Sequence, residues 1–341
     1  MAHAHRPPPA RPVPTGRVSL GSVNVAPRVP GRLVRVAGLA THVVAEPGPP
    51  GATYPPVLLS SGLGGGWFDW KLVLPRLAER APALCFDRPG LGWSEPSPVG
   101  PTLAGEADRI RALLTTPGVL GPGAAPIGPA VVVGFSLSGF HVEAFARMYP
   151  ELVAGLVLID GSAEPDAAAP PSPEQAERAV ALWQQVGELA GRTGLAALGT
   201  PLMRALAVRA TRVGGSDLAD TAEVAAAGAS GRVFTAGLLE NATYHTLAAQ
   251  LLELRCERPF PADVPLRVIA AYGLSPVARV LPFAGGSLRR GREQWHERQQ
   301  QLTRMSARGK LIELEDSAHF VPYDRPDAIV EAVAEVWSAL V

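Results

Sequence analysis

Residues 130 to 140 read AVVVGFSLSGF, and this stretch decides the fold class. Four apolar residues without a charge precede Gly134, which is typical of a strand buried on both faces of a sheet. The segment that follows, LSGFHVEAFARMYP, has the pattern of a helix. The stretch therefore predicts a strand, a tight turn and a helix in direct succession. Ser136 lies at the tip of the turn, and Ser138 follows two residues later.

Short apolar runs of the same kind alternate with helical segments along the rest of the chain. They are PPVLLSSG (55–62), APALCFDRPG (81–90), VAGLVLIDGS (153–162), VPLRVIAAYG (264–273) and GKLIELEDS (309–317). Before them, GRLVRVAGLATHVVAE alternates from Gly31 and breaks at Gly38 as a hairpin does. Strands that alternate with helices predict an α/β fold, in which helices flank a mostly parallel sheet.

The strand pattern is interrupted between Gly161 and about Pro261, where Ala, Leu, Glu and Gln predominate. We interpret the interruption as an inserted helical cap. The predicted organisation is a core formed by residues 31–163 and 262–341, with a cap formed by residues 164–261.

Several helices can be placed within this organisation. The first cap helix is expected to begin after Ser172, because Pro173 suits the first helical position and Gln175 can complete a capping box. Further candidate cap helices cover roughly residues 195–212, 217–228 and 232–257. A last helix would dock on the sheet through residues that recur at helical spacing, namely Ile329, Val333, Val336, Trp337 and Leu340.

Composition and charge narrow the class of partner. The 341 residues are 47% hydrophobic, and 31 basic residues balance 31 acidic ones. With no net charge, the chain lacks the electrostatic footprint of a protein that binds nucleic acid. No stretch reaches 18 apolar residues without a charge, which argues against a membrane span. We therefore expect a small-molecule substrate, and a monomer or homodimer.

The N-terminal residues 1–30 are rich in Pro, Arg and Ala without any period, which predicts a disordered tail outside the fold. No apolar run of seven or more residues follows its basic residues, so the tail does not have the pattern of a secretory signal. Cys85 and Cys256 lie far apart and cannot form a disulfide framework. We expect reduced thiols and a cytoplasmic location.

The turn at Ser136 fits the G-x-S-x-G pattern of a nucleophile turn, with Ser138 in place of the last glycine. Small residues are needed two positions before and after the tip, because neighbouring backbones approach closely there. The start of the following helix aims backbone N–H groups at any anion that forms beside the serine. The pattern therefore favours Ser136 as a nucleophile.

Three more motifs occur in a consistent order. SGLGG (61–65) follows an early strand, DRPGLGWS (87–94) fits D-x-x-G-x-G-x-S after the next strand, and DSAHF (316–320) carries a late histidine. On these motifs the chain resembles the α/β-hydrolase superfamily from about Gly31 to the C-terminus, most weakly in the cap. The resemblance implies the α/β-hydrolase fold and a serine hydrolase.

The resemblance also implies roles for individual residues. Ser136 would be the nucleophile and His319 the general base that takes its proton. The N–H groups of Leu63 and Leu137 would form the oxyanion hole. The family usually has His-Gly at the start of the first loop, where this chain has Ser61. Residues 87 and 88 are expected to shape a turn and not to take part in the chemistry.

The triad acid departs from the commonest pattern. The acid usually follows the penultimate strand, but AAYGLSPVARV (270–280) contains no carboxylate. Some members of the superfamily carry the acid one strand earlier, where this chain has Asp160. Asp160 also keeps the chain order Ser, Asp, His, and it is our choice. The reserve candidates are Glu164, Asp166, Glu315 and Asp316.

A serine nucleophile narrows the reaction. Relatives that open epoxides or displace halide use a carboxylate nucleophile, so transfer of an acyl group from an ester, thioester or amide to water is favoured. The pocket would lie between sheet and cap, and its candidate apolar lining is Trp67, Phe68, Trp70 and Trp183. No metal or organic cofactor is implied. Two alternatives stay open: a non-catalytic homologue that binds a small molecule, and a lyase or cofactor-free perhydrolase with the same triad.

Overall fold

The computed structural model describes residues 29–163, 172–199, 202, 230–273 and 285–340, with residues 285–290 described by their backbone alone. Most of the predicted N-terminal tail lies outside the described residues. So do the candidate helix over 217–228 and most of the one over 195–212.

The described residues form one sheet of eight strands in the order β1-β2-β4-β3-β5-β6-β7-β8. The strands are β1 Arg32–Val36, β2 Leu39–Glu46, β3 Val57–Ser60, β4 Ala83–Phe86, β5 Ala130–Phe135, β6 Val153–Ile159, β7 Leu266–Ala271 and β8 Gly309–Leu314. Strands β1 and β2 form an antiparallel hairpin, β2 pairs antiparallel with β4, and the remaining neighbours run parallel. The predicted mostly parallel sheet is confirmed.

Strand β5 lies in the middle of the sheet and is buried along its whole length. Alternate side chains of a strand point to opposite faces. Val132 accordingly joins the apolar cluster on one face with residues of the helix that follows β5, whereas Val131 and Val133 join the cluster on the other face with the last helix. Both faces of β5 contact apolar clusters, and its sequence therefore contains no polar residue.

Helices cover both faces of the sheet, as predicted. They are α1 Leu74–Ala78, α2 Leu103–Thr115, α3 Ser138–Met148, α4 Pro173–Thr193, α5 Gly231–Glu257, α6 Gly285–Thr303, α7 Val321–Asp324 and α8 Pro326–Ser338. Helix α8 buries four of the five apolar residues expected to dock. The expectation for Leu340 is wrong: the helix ends at Ser338, and the Leu340 side chain is 40% exposed.

Helices α4 and α5 lie in the chain between β6 and β7. Helix α4 begins as predicted, because Ser172 accepts a hydrogen bond from the Gln175 N–H and the Gln175 side chain accepts one from the Ser172 N–H. The two helices approach closely through glycines, since a Cβ added to Gly231 would lie 2.6 Å from the Gly191 Cα. Of the helices that the structure describes, none is both long and apolar enough to span a membrane.

Candidate active site

Ser136 lies directly after β5, in a strained turn. Its φ is +54°, and only two other non-glycine residues in the described part of the chain have a positive φ. Such a conformation costs about 1–3 kcal/mol and persists only where the surroundings enforce it. Here the Ser136 N–H donates to the Ile159 carbonyl (3.0 Å), and the Ser136 carbonyl accepts from the Gly139 N–H (2.9 Å). A Cβ at Gly134 would lie 2.8 Å from the Ser138 carbonyl oxygen, so the turn needs glycine there.

Ser138 is a structural residue. Its side chain is fully buried, and its Oγ accepts a hydrogen bond from the Phe135 N–H at 2.8 Å. The same hydroxyl contacts the Ser60 carbonyl at 2.6 Å and donates to it. The hydroxyl therefore ties β3 to the turn after β5, which explains why a serine can replace the last glycine of the pattern.

His319 lies in the loop between β8 and α7 and connects the two other predicted triad residues. Its Nε2 lies 2.9 Å from the Ser136 Oγ, and its Nδ1 lies 2.6 Å from the Asp160 Oδ2. The His319 side chain is 50% exposed, whereas the Asp160 side chain is 5% exposed. The structure thus brings together one carboxylate, one imidazole and one hydroxyl, with the hydroxyl end open to solvent.

Asp160 directly follows β6 and also has a positive φ, +42°. Its second carboxylate oxygen, Oδ1, accepts two hydrogen bonds, from the Ala271 N–H at 3.0 Å and from the Trp295 Nε1–H at 2.8 Å. Both oxygens are therefore held, and the direction of the carboxylate is fixed. Sequence reasoning missed Trp295, which lies on α6 without any motif around it.

For the serine hydrolase that the sequence motifs predict, replacement of Trp295 by phenylalanine is expected to lower kcat about tenfold with little change in KM. The change removes one hydrogen bond to a charged group, worth about 1.5–3 kcal/mol, and a loss of 1.4 kcal/mol in the transition state is tenfold in rate. Trp337→Phe is the matched control, because it removes an indole N–H bond to the Pro55 carbonyl. Steady-state kinetics decide: equal kcat losses in both variants would contradict a specific role for Trp295.

The reserve carboxylates have other partners or are not described. Glu315 pairs with Arg292, and the Asp316 carboxylate accepts two hydrogen bonds from Arg325 at 2.8 and 2.9 Å. Glu164 and Asp166 lie outside the described residues. Among the described candidates, Asp160 is the one within hydrogen-bond distance of the imidazole.

The loop Ser61 to Gly66 lies beside Ser136. A Cβ at Gly62 would come within 3.1 Å of the Ser136 Cβ, so the loop backbone directly contacts the turn that carries Ser136. Ser61 replaces the usual histidine and anchors the loop: its Oγ donates to the Gly66 carbonyl (2.9 Å) and accepts from Trp70 Nε1–H (2.8 Å). Leu63 lies in this loop with its side chain 43% exposed, and Leu137 is buried at the start of α3. Their role as oxyanion donors stays a prediction.

Residues 87 and 88 differ in what they contact. Asp87 organises turns: its Oδ1 accepts the Trp67 N–H at 2.8 Å and its Oδ2 accepts the Trp93 N–H at 3.1 Å. Arg88 instead reaches Glu240 on α5, with 2.6 Å between Nε and Oε1. Burial acts to lower the pKa of Arg88, but the Glu240 carboxylate, together with Glu106 and Asp69, outweighs burial, so the pKa of the guanidinium lies above its ordinary value.

The aromatic residues expected to line the pocket lie mainly in the core. Trp67, Phe68 and Trp70 belong to the buried cluster that includes α8, and Trp183 lies partly buried on α4. A cavity of about 890 Å³ in the described residues lies between the loop 89–102 and helices α2, α4 and α5, and none of these four side chains lines it. The pocket lining stays a prediction.

A model of a known protein family matches most of the chain. The model described as the alpha/beta hydrolase family matches residues 57–332, which include the whole parallel part of the sheet and all three residues of the hydrogen-bonded set. The chain belongs to the alpha/beta hydrolase family. In this alpha/beta hydrolase the serine lies in the turn after β5 and the histidine in the loop after β8. The two residues therefore follow one another along the chain in the same order as the sequence motifs.

Two curated relatives match a segment of this alpha/beta hydrolase. RutD of Pantoea ananatis, which carries the name of a carbamate hydrolase, is 34% identical over 106 residues, 31% of this chain and 36% of that protein. The esterase Rv0045c of Mycobacterium tuberculosis is 36% identical over 115 residues, 32% of this chain and 34% of that protein. The match therefore spans about a third of the length of these relatives.

Solved structures match over almost the whole chain. A thermophilic esterase from Thermogutta terrifontis has a TM-score of 0.57 at 20% identity, over 92% of this chain and 98% of that one. The enol-lactonase of Burkholderia xenovorans also has a TM-score of 0.57, at 21% identity, over 90% of this chain and 99% of that one. At these identities the likeness shows the fold alone.

Proposed function

We propose that the protein is a serine hydrolase that cleaves an ester-type bond of an apolar small molecule. One observation carries this proposal: Ser136, His319 and Asp160 lie in one hydrogen-bonded line, with 2.9 Å and 2.6 Å between the bonded atoms. A base within this distance of a hydroxyl can take its proton as the oxygen attacks a carbonyl carbon.

The reaction takes two steps. In the first, the Ser136 Oγ attacks the carbonyl carbon, the proton passes to the His319 Nε2, and the same proton then leaves with the alcohol as the acyl-enzyme forms. In the second, His319 takes a proton from water as the water oxygen attacks the acyl carbonyl carbon; the bond from that carbon to the Ser136 Oγ then breaks, the imidazolium returns the proton to the Oγ, and the acid is released. The negative charge on the carbonyl oxygen in each step would be met by the N–H groups of Leu63 and Leu137.

Asp160 keeps the imidazole in the required form. Its Oδ2 accepts the Nδ1–H of His319, which leaves Nε2 free to accept the serine proton and stabilises the imidazolium that follows. The Ala271 and Trp295 N–H groups hold the other oxygen, so the carboxylate has no need to reorient during the reaction. Preorganisation of this kind lowers the cost of charge separation in the transition state.

Aromatic rings lie beside the His319 imidazole, which favours an apolar acyl or alcohol group in the substrate. The Phe135 ring lies 5.1 Å from the His319 ring, and the Phe320 ring lies 5.4 Å from the Phe135 ring. The exposed side chain of Leu63 follows Gly62, which contacts Ser136. We propose that helices α4 and α5 belong to a cap, residues 164–261, that closes the pocket over these groups.

The proposal is tested with p-nitrophenyl esters from acetate to dodecanoate, beside the matching thioesters and anilides. We expect kcat/KM for the esters to rise with chain length to a maximum and to exceed that for the anilides. A folded protein that binds these compounds without hydrolysing any of them would instead be the non-catalytic homologue.

A further inference from the structure

A buried ion pair lies directly behind the loop Ser61 to Gly66. The side chains of Arg88 and Glu240 are 3% and 5% exposed. The guanidinium donates to both carboxylate oxygens of Glu240, from Nε at 2.6 Å and from Nη2 at 2.9 Å. Its remaining contacts are backbone carbonyls of the loop: Nη1 donates to the Ser61 carbonyl and Nη2 to the Gly62 carbonyl, the latter at 2.6 Å. Glu240 in turn accepts the Gly64 N–H at 2.8 Å.

The contact with the Gly62 carbonyl has a consequence for catalysis, because that carbonyl and the Leu63 N–H belong to the same peptide unit. The peptide unit is planar and trans, so its C=O and N–H point in opposite directions. A donor that fixes the carbonyl therefore fixes the direction of the N–H; Arg88 does so together with the Gly65 N–H, which donates to the same carbonyl at 3.0 Å. A cation bonded to the carbonyl also polarises the unit, which makes its N–H a stronger donor.

We propose that Arg88 is a positioning residue that aims and polarises the Leu63 N–H toward the oxyanion, and that Glu240 of α5 holds Arg88 in place. This inference rests on the proposed function. It makes helix α5 a part of the catalytic apparatus, since the same Glu240 carboxylate binds both Arg88 and the Gly64 N–H of the loop.

Stability alone is a weak explanation for this pair. A buried ion pair repays its desolvation cost poorly, and apolar residues often serve as well. Helix α5 is also attached to the core by a second buried carboxylate, Glu143 of α3, which accepts hydrogen bonds from Arg255 of α5 at 2.8 and 2.7 Å. That pair contacts no carbonyl of the loop Ser61 to Gly66, so it provides a matched comparison.

The experiment compares two double variants of the full chain, Arg88→Met/Glu240→Gln and Arg255→Met/Glu143→Gln. The first removes the loop-to-helix ion pair on α5; the second removes the interhelical pair of Arg255 with Glu143 and also the bond that Glu143 accepts from the buried Arg147 at 2.9 Å. For both we measure kcat and KM on the best ester, the melting temperature, and the inhibition constant of a trifluoromethyl ketone, which forms a tetrahedral oxyanion on the nucleophilic serine.

In the first double variant we expect kcat to fall about 10²-fold, the loss found when one oxyanion donor is removed. KM should stay within about twofold, and the inhibition constant should rise by the same factor as kcat falls, since both report on the oxyanion. In the second double variant the melting temperature should fall by about as much as in the first. Its kcat and inhibition constant should stay within about threefold of the wild-type values.

A folded first variant with kcat within threefold of wild type would overturn the inference, as would equal kcat losses in both double variants. If the first variant does not fold, Arg88→Lys replaces it: lysine keeps the buried charge but lacks the planar fork that reaches both carbonyls and the carboxylate. We expect Arg88→Lys to lower kcat about tenfold with KM unchanged; wild-type kcat in that variant would overturn the inference. Absence of ester turnover in the wild type would instead refute the proposed function.

Discussion

Replacement of Ser136 by alanine is expected to abolish ester hydrolysis, with a fall in kcat of about 10⁴- to 10⁶-fold, because the variant lacks the hydroxyl that is proposed to form the acyl-enzyme. The fold should persist. The lost hydroxyl is partly exposed, its bonded partner His319 is half exposed, and alanine keeps the Cβ at the same backbone position. Steady-state kinetics on the best p-nitrophenyl ester and the melting temperature measure the two effects.

Ser138→Ala is the matched control, since it removes a hydroxyl two residues away. That hydroxyl is buried between the Phe135 N–H and the Ser60 carbonyl, so its loss should cost about 1–3 kcal/mol of stability. Turnover should fall far less than in Ser136→Ala. The assignment of the nucleophile is contradicted if Ser136→Ala keeps substantial turnover or if Ser138→Ala is the inactive variant.

The second large effect is expected for Asp160→Asn, with a fall in kcat of about 10⁴-fold; this magnitude comes from the serine-protease case, in which the same change leaves the geometry intact but selects the wrong tautomer. Here an asparagine amide can turn its NH₂ group toward the His319 Nδ1, which would then carry no proton. KM should change little, because Asp160 lies behind the imidazole and does not face the open end of the site.

Asp316→Asn is the control for that change. Asp316 lies three residues from His319, but its carboxylate pairs with Arg325 at a surface position, so kcat should stay within about threefold of wild type. If Asp316→Asn matched the loss in Asp160→Asn, the acid would have to be assigned again, while Ser136 and His319 would keep their roles.

The sequence predicts most of the sheet because each strand is a local pattern. The six runs became strands β3 to β8. Strands β3 to β7 are buried along nearly their whole length, as an apolar run predicts, whereas the edge strand β8 carries Lys310 and Glu313 and is only partly buried. The start of α4 was predictable for the same reason: Ser172, Pro173 and Gln175 form a complete helix-start signal within four residues. The end of α8 was not, because helical spacing alone gives no stop signal, and Leu340 was wrongly placed on the docked face.

Two supporting parts of the site had no local signal. Trp295 contacts Asp160 across 135 residues of chain, and Glu240 contacts Arg88 across 152. Neither residue sits in a motif, and a tryptophan or glutamate on a helix usually packs on the core or faces solvent. Their placement depends on how α5 and α6 pack against the loops of the core, which is a property of the tertiary structure and not of any segment.

The most direct test of the central claim is to treat the protein with a fluorophosphonate probe and to map the modified residue by peptide mass spectrometry. The account predicts one phosphonylated residue, Ser136, at a rate that falls sharply in Asp160→Asn and only slightly in Asp316→Asn, because labelling needs the oriented imidazole. Modification at Ser138 or at another serine, or a protein that hydrolyses esters while Ser136 stays unmodified, would contradict it.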